Sequence, residues 1–136
     1  AVESASFAVS GINLGLFCST PAVALSRNIS RKHAFEMLFT GKFIDSETAV
    51  SWGLINKAVP AEELDAAIKT LTDSICAKSR VPVQIGKEMF YEQLGMDLAD
   101  AYEFAGEKMA CNMMSDDAVE GIDSFIERRK PTWKGC

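Results

Sequence analysis

Pro60 divides this chain into two kinds of sequence. Upstream of it, apolar residues come in short runs broken by glycine, such as Ser6-Phe7-Ala8-Val9-Ser10-Gly11 and Ile12-Asn13-Leu14-Gly15-Leu16-Phe17. Downstream they recur at helical spacing almost to the end. Leu64, Ile68, Leu71 and Ile75 follow at steps of four, three and four, which sets them on one stripe of a helix. Val83, Lys87, Phe90 and Leu94 outline a second helix from near Pro82 to Gly95, and Leu98, Ala101, Tyr102, Ala105 and Met109 a third. Ser115 is placed to cap a fourth, with Asp116 and Asp117 at the positive end of its dipole and Val119, Ile122, Phe125 and Ile126 on its apolar face. Few early strands followed by sustained helix predict an α+β chain that is predominantly α. The expected division is 1–60 and 61–136. Four successive amphipathic helices need a cover, either the early core, another protomer or both.

Within the first part, residues 6–9 read as a short strand running into a loop at Ser10-Gly11. Residues 12–17 predict a buried loop. Thr20-Pro21 reads as an N-cap with proline at the first helical position. Ser30 caps the next helix, with Ala34, Met37 and Leu38 on one face and Gly41 as its stop. Asp45 or Ser46 caps a short helix over 47–52, which Gly53 ends. Residues 54–59 partly alternate and stop at Pro60, so a strand is expected there.

A length of 136 residues allows one domain with a sizeable core. A net charge of −5 argues against nucleic acid or an anionic membrane as a partner. Residues 4–26 carry no charge, but Asn13, Pro21 and two glycines make them a poor membrane span. Cys18, Cys76, Cys111 and Cys136 lack CxxC spacing, and with a single histidine no zinc site is expected. They read as small apolar residues of a reducing compartment. Ala1-Val2-Glu3 leads straight into a strand-like segment, with no basic region ahead of an apolar run, so the chain reads as part of a longer one.

Four segments carry a resemblance in order and spacing. They are Ser6-Phe7-Ala8-Val9-Ser10-Gly11-Ile12-Asn13-Leu14-Gly15, Leu38-Phe39-Thr40-Gly41, the run Ala49-Val50-Ser51-Trp52-Gly53-Leu54-Ile55-Asn56-Lys57-Ala58-Val59-Pro60, and the stretch 117–130. Together they resemble the C-terminal half of the crotonase family, the enoyl-CoA hydratase/isomerase superfamily. The resemblance implies the end of a ββα spiral over 1–60 and a helical oligomerisation region over 61–136. It implies an acyl-CoA ligand, no separate cofactor or metal, a homotrimer or hexamer, and a role in fatty-acid and lipid metabolism. It also implies a place in the mitochondrial matrix, with the cytoplasm second.

In such proteins two backbone N–H groups stabilise a thioester enolate, and hydration adds two glutamates that hold a water. The resemblance assigns the oxyanion donors and the first glutamate to a part upstream of Ala1. It sets Gly11 at the second glutamate position, and glycine cannot move a proton. Glu3 lies on the far side of the strand segment, and Asn13 can bind a water but is no base near neutral pH. Conformationally, Gly11 reads as a turn glycine. Phe125 and Arg128 match the aromatic and basic residues that meet coenzyme A; the alternatives are an apolar stripe for Phe125 and a favourable helix C-terminus for Arg128. Leu14, Leu16 and Phe17 either line an acyl pocket or pack in the core. His33 reads as a solvated residue on a charged face, and Cys18 as a buried thiol. Two functions follow: an acyl-CoA enzyme other than a standard hydratase, or a catalytically silent acyl-CoA-binding or assembly protein.

Overall fold

In the computed structural model, which describes residues 1–136, only Ser6–Phe7 of the expected strand is extended. This β1 pairs antiparallel with β2, Ile44–Asp45, matching Ser6 with Asp45 and Phe7 with Ile44. The strand stops because Val9 already acts as the cap of a 3-10 turn, Ser10–Leu14. Residues 10–14 are thus a regular element rather than an irregular loop. Gly15 closes it at φ +75°, a conformation that costs a residue with a Cβ about 1–2 kcal/mol.

Helix α1, Ser19–Asn28, starts earlier than Thr20-Pro21 suggests. Cys18 stands at its N-cap and its side chain makes no capping bond. Pro21 falls inside the first turn, where its missing N–H has no helical acceptor to lose. Helix α2, Arg31–Thr40, begins and ends as its sequence dictates. Ser30 accepts from the His33 N–H, and Gly41 stops the helix at φ +59°. Helix α3, Ser46–Ser51, is capped by the Asp45 carboxylate, which accepts from Thr48 N–H at 2.8 Å.

The strand expected over 54–59 does not form. The Ala49 carbonyl accepts from both Leu54 and Ile55, which winds the chain around the end of α3, and Gly53 turns it at φ +77°. Only Val59 pairs, in a parallel bridge with Val2. Leu25 and Ile29 from α1 and Ala34, Met37 and Leu38 from α2 form a buried cluster, with Phe7, Val9, Ile44, Trp52 and Leu54 packed against it. Each large aliphatic side chain buried in this way contributes about 1.5–3 kcal/mol.

From Ala61 onward there is no strand. A 3-10 turn, Ala61–Glu63, leads into α4, Leu64–Cys76, and α5, Arg80–Gln93, follows. The start of α5 lies ahead of Pro82 because Ser79 caps it, accepting from Val81 N–H at 3.1 Å. Asp97 caps α6, Leu98–Met113, and Ser115 caps α7, Asp116–Ile126. No helix is long and apolar enough to cross a membrane. The chain divides into two compact units, Ala1–Lys69 and Thr70–Cys136, with the boundary inside α4.

Candidate functional site

Gly11 is the second residue of the first 3-10 turn, and its φ is negative. Its lack of a side chain therefore answers to space, not to a left-handed turn, which corrects the turn-glycine reading. A Cβ at this position would lie well inside contact distance of Cys18 Sγ and 3.1 Å from the Leu16 carbonyl oxygen. The turn is closed across the same point, since Gly11 O accepts from Leu16 N–H at 3.0 Å. Asn13 Nδ2 donates to Gly41 O at 3.3 Å and ties the turn to the end of α2. A Cβ on Gly41 would come within 2.8 Å of Asn13 Nδ2 and Ile12 Cγ2. The Asn13 amide is thus engaged in holding the turn in place.

Leu14, Leu16 and Phe17 are exposed by 79, 65 and 46 %. That rules out the core-packing alternative for them within this chain. Phe17 lies 5.2 Å from Phe39, which stacks on Phe35 at 4.0 Å. The three rings make an open aromatic surface beside the Gly11 turn. Phe35 and Phe39 escaped sequence reasoning, although their spacing of four on α2, off the Ala34–Met37–Leu38 face, was the available signal.

Two further readings change. His33 is not a solvated surface residue. Its ring stacks on Trp52 with centroids 4.2 Å apart and planes within 7°, and its Nδ1 is buried without a partner. Cys18 is only partly buried, and it packs against the core cluster.

At the other candidate position, α7 ends at Ile126 and the chain reverses through Arg128, at φ +55°. No other non-glycine residue has a positive φ, and an arginine pays about 1–2 kcal/mol for it. Arg129 N–H donates to Ser124 O at 3.0 Å and closes the reversal. The structure sorts the basic run that sequence alone left undivided. Arg129 grips Glu120 with two parallel bonds of 2.5 and 2.8 Å and donates Nε–H to Glu127. Its guanidinium, helped by the Thr132 N–H, holds the Glu120 carboxyl down at about 2. The Arg128 side chain is exposed and takes part in none of these bonds, and Phe125 is 84 % exposed. The cation and the aromatic that the family resemblance singles out are therefore both open to solvent.

A buried polar constellation was not read from sequence. Asp117 is 2 % exposed. Its carboxylate accepts from Ser79 Oγ at 2.5 Å, Lys134 N–H at 2.7 Å and Gly135 N–H at 3.0 Å. The Ser79 bond above all, with the two N–H donors, keeps this carboxyl below its usual range although burial opposes it. Trp133 donates its indole N–H to Ala77 O at 3.0 Å. The carboxylate and the indole thus latch the C-terminal tail to the turn before α5 and to the start of α7. Beside the latch lies a cavity of about 370 Å³ lined mainly by apolar atoms, with Pro82, Val83, Ala118 and Trp133 among its walls.

The chain belongs to the enoyl-CoA hydratase/isomerase family, whose profile matches residues 1–136. It is 49 % identical over 133 residues to the mitochondrial enoyl-CoA hydratase domain-containing protein 3 of Mus musculus, covering 98 % of this chain and 44 % of that protein. A crystal structure of enoyl-CoA hydratase from Mycobacterium smegmatis matches with a TM-score of 0.95 and 52 % identity, over 98 % of this chain and 52 % of that one. The human enoyl-CoA hydratase domain-containing protein 3 structure matches with a TM-score of 0.93 and 45 % identity, over 98 % and 53 %. The chain spans about half the length of the relatives it matches.

Proposed function

We propose that the protein binds acyl-CoA in fatty-acid and lipid metabolism and does not run standard enoyl-CoA hydration. The observation that carries this reading is Gly11. Hydration adds a water proton and hydroxide across a conjugated double bond, and the general acid/base must sit within hydrogen-bond reach of that water. At the position where the family resemblance puts the second glutamate there is no side chain and, with Cys18 and Leu16 as placed, no room for one. Enolate stabilisation by backbone N–H groups does not depend on that carboxylate. Isomerase, hydrolase or lyase chemistry on a CoA thioester therefore stays compatible with the glycine.

The exposed Arg128 and Phe125 support the ligand. A guanidinium with no internal partner suits a phosphate, and an exposed ring suits a purine face. A second reading, a catalytically silent acyl-CoA-binding or assembly protein, draws on the apolar faces of α4 to α7, which fit a homotrimer or hexamer. The mitochondrial names of its relatives support a mitochondrial location, with the matrix as the proposed compartment. No cofactor beyond the CoA thioester itself is proposed.

Two measurements on the full-length protein test this. Crotonyl-CoA hydration, followed by loss of enoyl thioester absorbance, is expected to run about 10²–10⁴-fold below a two-glutamate hydratase. Comparable turnover overturns the reading. Arg128→Ala is expected to weaken acyl-CoA binding about tenfold by calorimetry. Unchanged affinity removes Arg128 from the ligand site.

A further inference from the structure

We infer that Cys18 is the residue that closes position 11, so that Gly11 and Cys18 form a two-residue lock on this turn. The negative φ of Gly11 is open to any L-residue, so backbone conformation does not demand glycine there. What a side chain would meet is the Cys18 thiol on one side and the Leu16 carbonyl, at 3.1 Å, on the other. Cys18 packs against the cluster of Leu25, Ile29, Ala34, Met37 and Leu38, which crowds the thiol on that side, and its backbone is held at the N-cap of α1, where its carbonyl accepts from Ala22 N–H at 3.0 Å. The Leu16 carbonyl is backbone, in a turn that the Leu16 N–H closes onto Gly11 O. Removing only Sγ takes away the severe contact and leaves the mild one.

The lock has a functional corollary. If position 11 is where a carboxylate stands in hydrating relatives, a single Gly11→Glu change does not restore it here, because the Cβ has nowhere to go until Cys18 is changed too. This corollary rests on the function proposed above; the lock itself rests on geometry alone.

A four-protein cycle on the full-length chain separates the two: wild type, Gly11→Ala, Cys18→Ala and the double variant. Cys18→Ala loses no capping bond, since the thiol makes none. Gly11→Ala is expected to lower Tm by about 3–10 °C in the wild-type background, as overpacking does, and by less than half as much in the Cys18→Ala background. Equal losses in both backgrounds overturn the lock. If Gly11→Ala does not fold, recovery of a folded double variant supports the lock, and an equally unfolded double variant overturns it. The second arm compares Gly11→Glu with Gly11→Glu/Cys18→Ala. Better folding of the double variant, together with crotonyl-CoA hydration above wild type, supports both the lock and the assignment of position 11. Better folding without hydration supports the lock and sinks that assignment.

Discussion

The two units of this chain reach order by different means. Every buried hydrophobic residue lies in the first: Leu25, Ile29, Ala34, Met37, Leu38, Ala49 and Val59. In the second, the buried residues are Ser79, Asp117 and Ser124, all polar. Its helices carry well-formed apolar stripes that stay exposed, including Leu71, Leu98, Tyr102, Ile122 and Phe125. The first unit is therefore organised around apolar burial, which is non-directional and spread over many atoms. The second is registered by a few directional bonds, and its exposed apolar surface is of the kind that marks an interaction site.

The largest test of this contrast is Asp117→Asn. The amide keeps the shape but offers only one acceptor oxygen, so its NH₂ must face the Lys134 N–H or the Ser79 and Gly135 donors. Thermal unfolding followed by circular dichroism is expected to show a Tm lower by about 5–15 °C. A loss under about 1 °C would mean the tail latch does not hold the second unit.

Next in size is Ile122→Ser, on the exposed face of α7. Burial of such a side chain is worth about 1.5–3 kcal/mol, so association measured by sedimentation is expected to weaken about tenfold or more per covered site. An unchanged dissociation constant would show that this face is not the one covered.

The smallest effect is expected from Glu120→Gln, and its pH dependence sharpens the comparison. The folded carboxyl, at about 2, lies below its ordinary 4.5. Its contribution is therefore full above about pH 4.5 and is lost as pH falls through the folded value. At pH 7 the variant's Tm should sit about 1–3 °C below wild type, and the gap should close between about pH 4.5 and pH 2. A gap that does not change with pH would mean that the Arg129 pair contributes nothing to it.

What could be read from sequence follows from distance along the chain. The caps Ser30, Asp45 and Ser115 each accept from an N–H three residues on, so a short motif contains the whole interaction. The stripes of the late helices were legible for the same reason, and so was the family, through motifs spread over the chain. The Asp117 latch was not, because its partners lie 38, 17 and 18 residues away. The strand expected at 54–59 lost to the Ala49 carbonyl, a local winding that alternation cannot reveal. At the candidate site, the absence of a carboxylate at Gly11 was visible in the sequence. The thiol that crowds position 11 was not, because its approach depends on how the turn folds back on α1. The different fates of Arg128 and Arg129 needed the reversal at the end of α7.

The stacked His33–Trp52 pair has a use beyond packing. The chain contains two tryptophans, and they fall one to each unit. Trp52 lies flat against an imidazole, while Trp133 spends its N–H on Ala77 O and rests its ring over Gly121. Each unit thus carries its own built-in fluorophore in a distinct surrounding. Replacing either one with phenylalanine leaves a single tryptophan in this chain, so with excitation selective for indole over the two tyrosines the signal of one unit can be followed apart from the other.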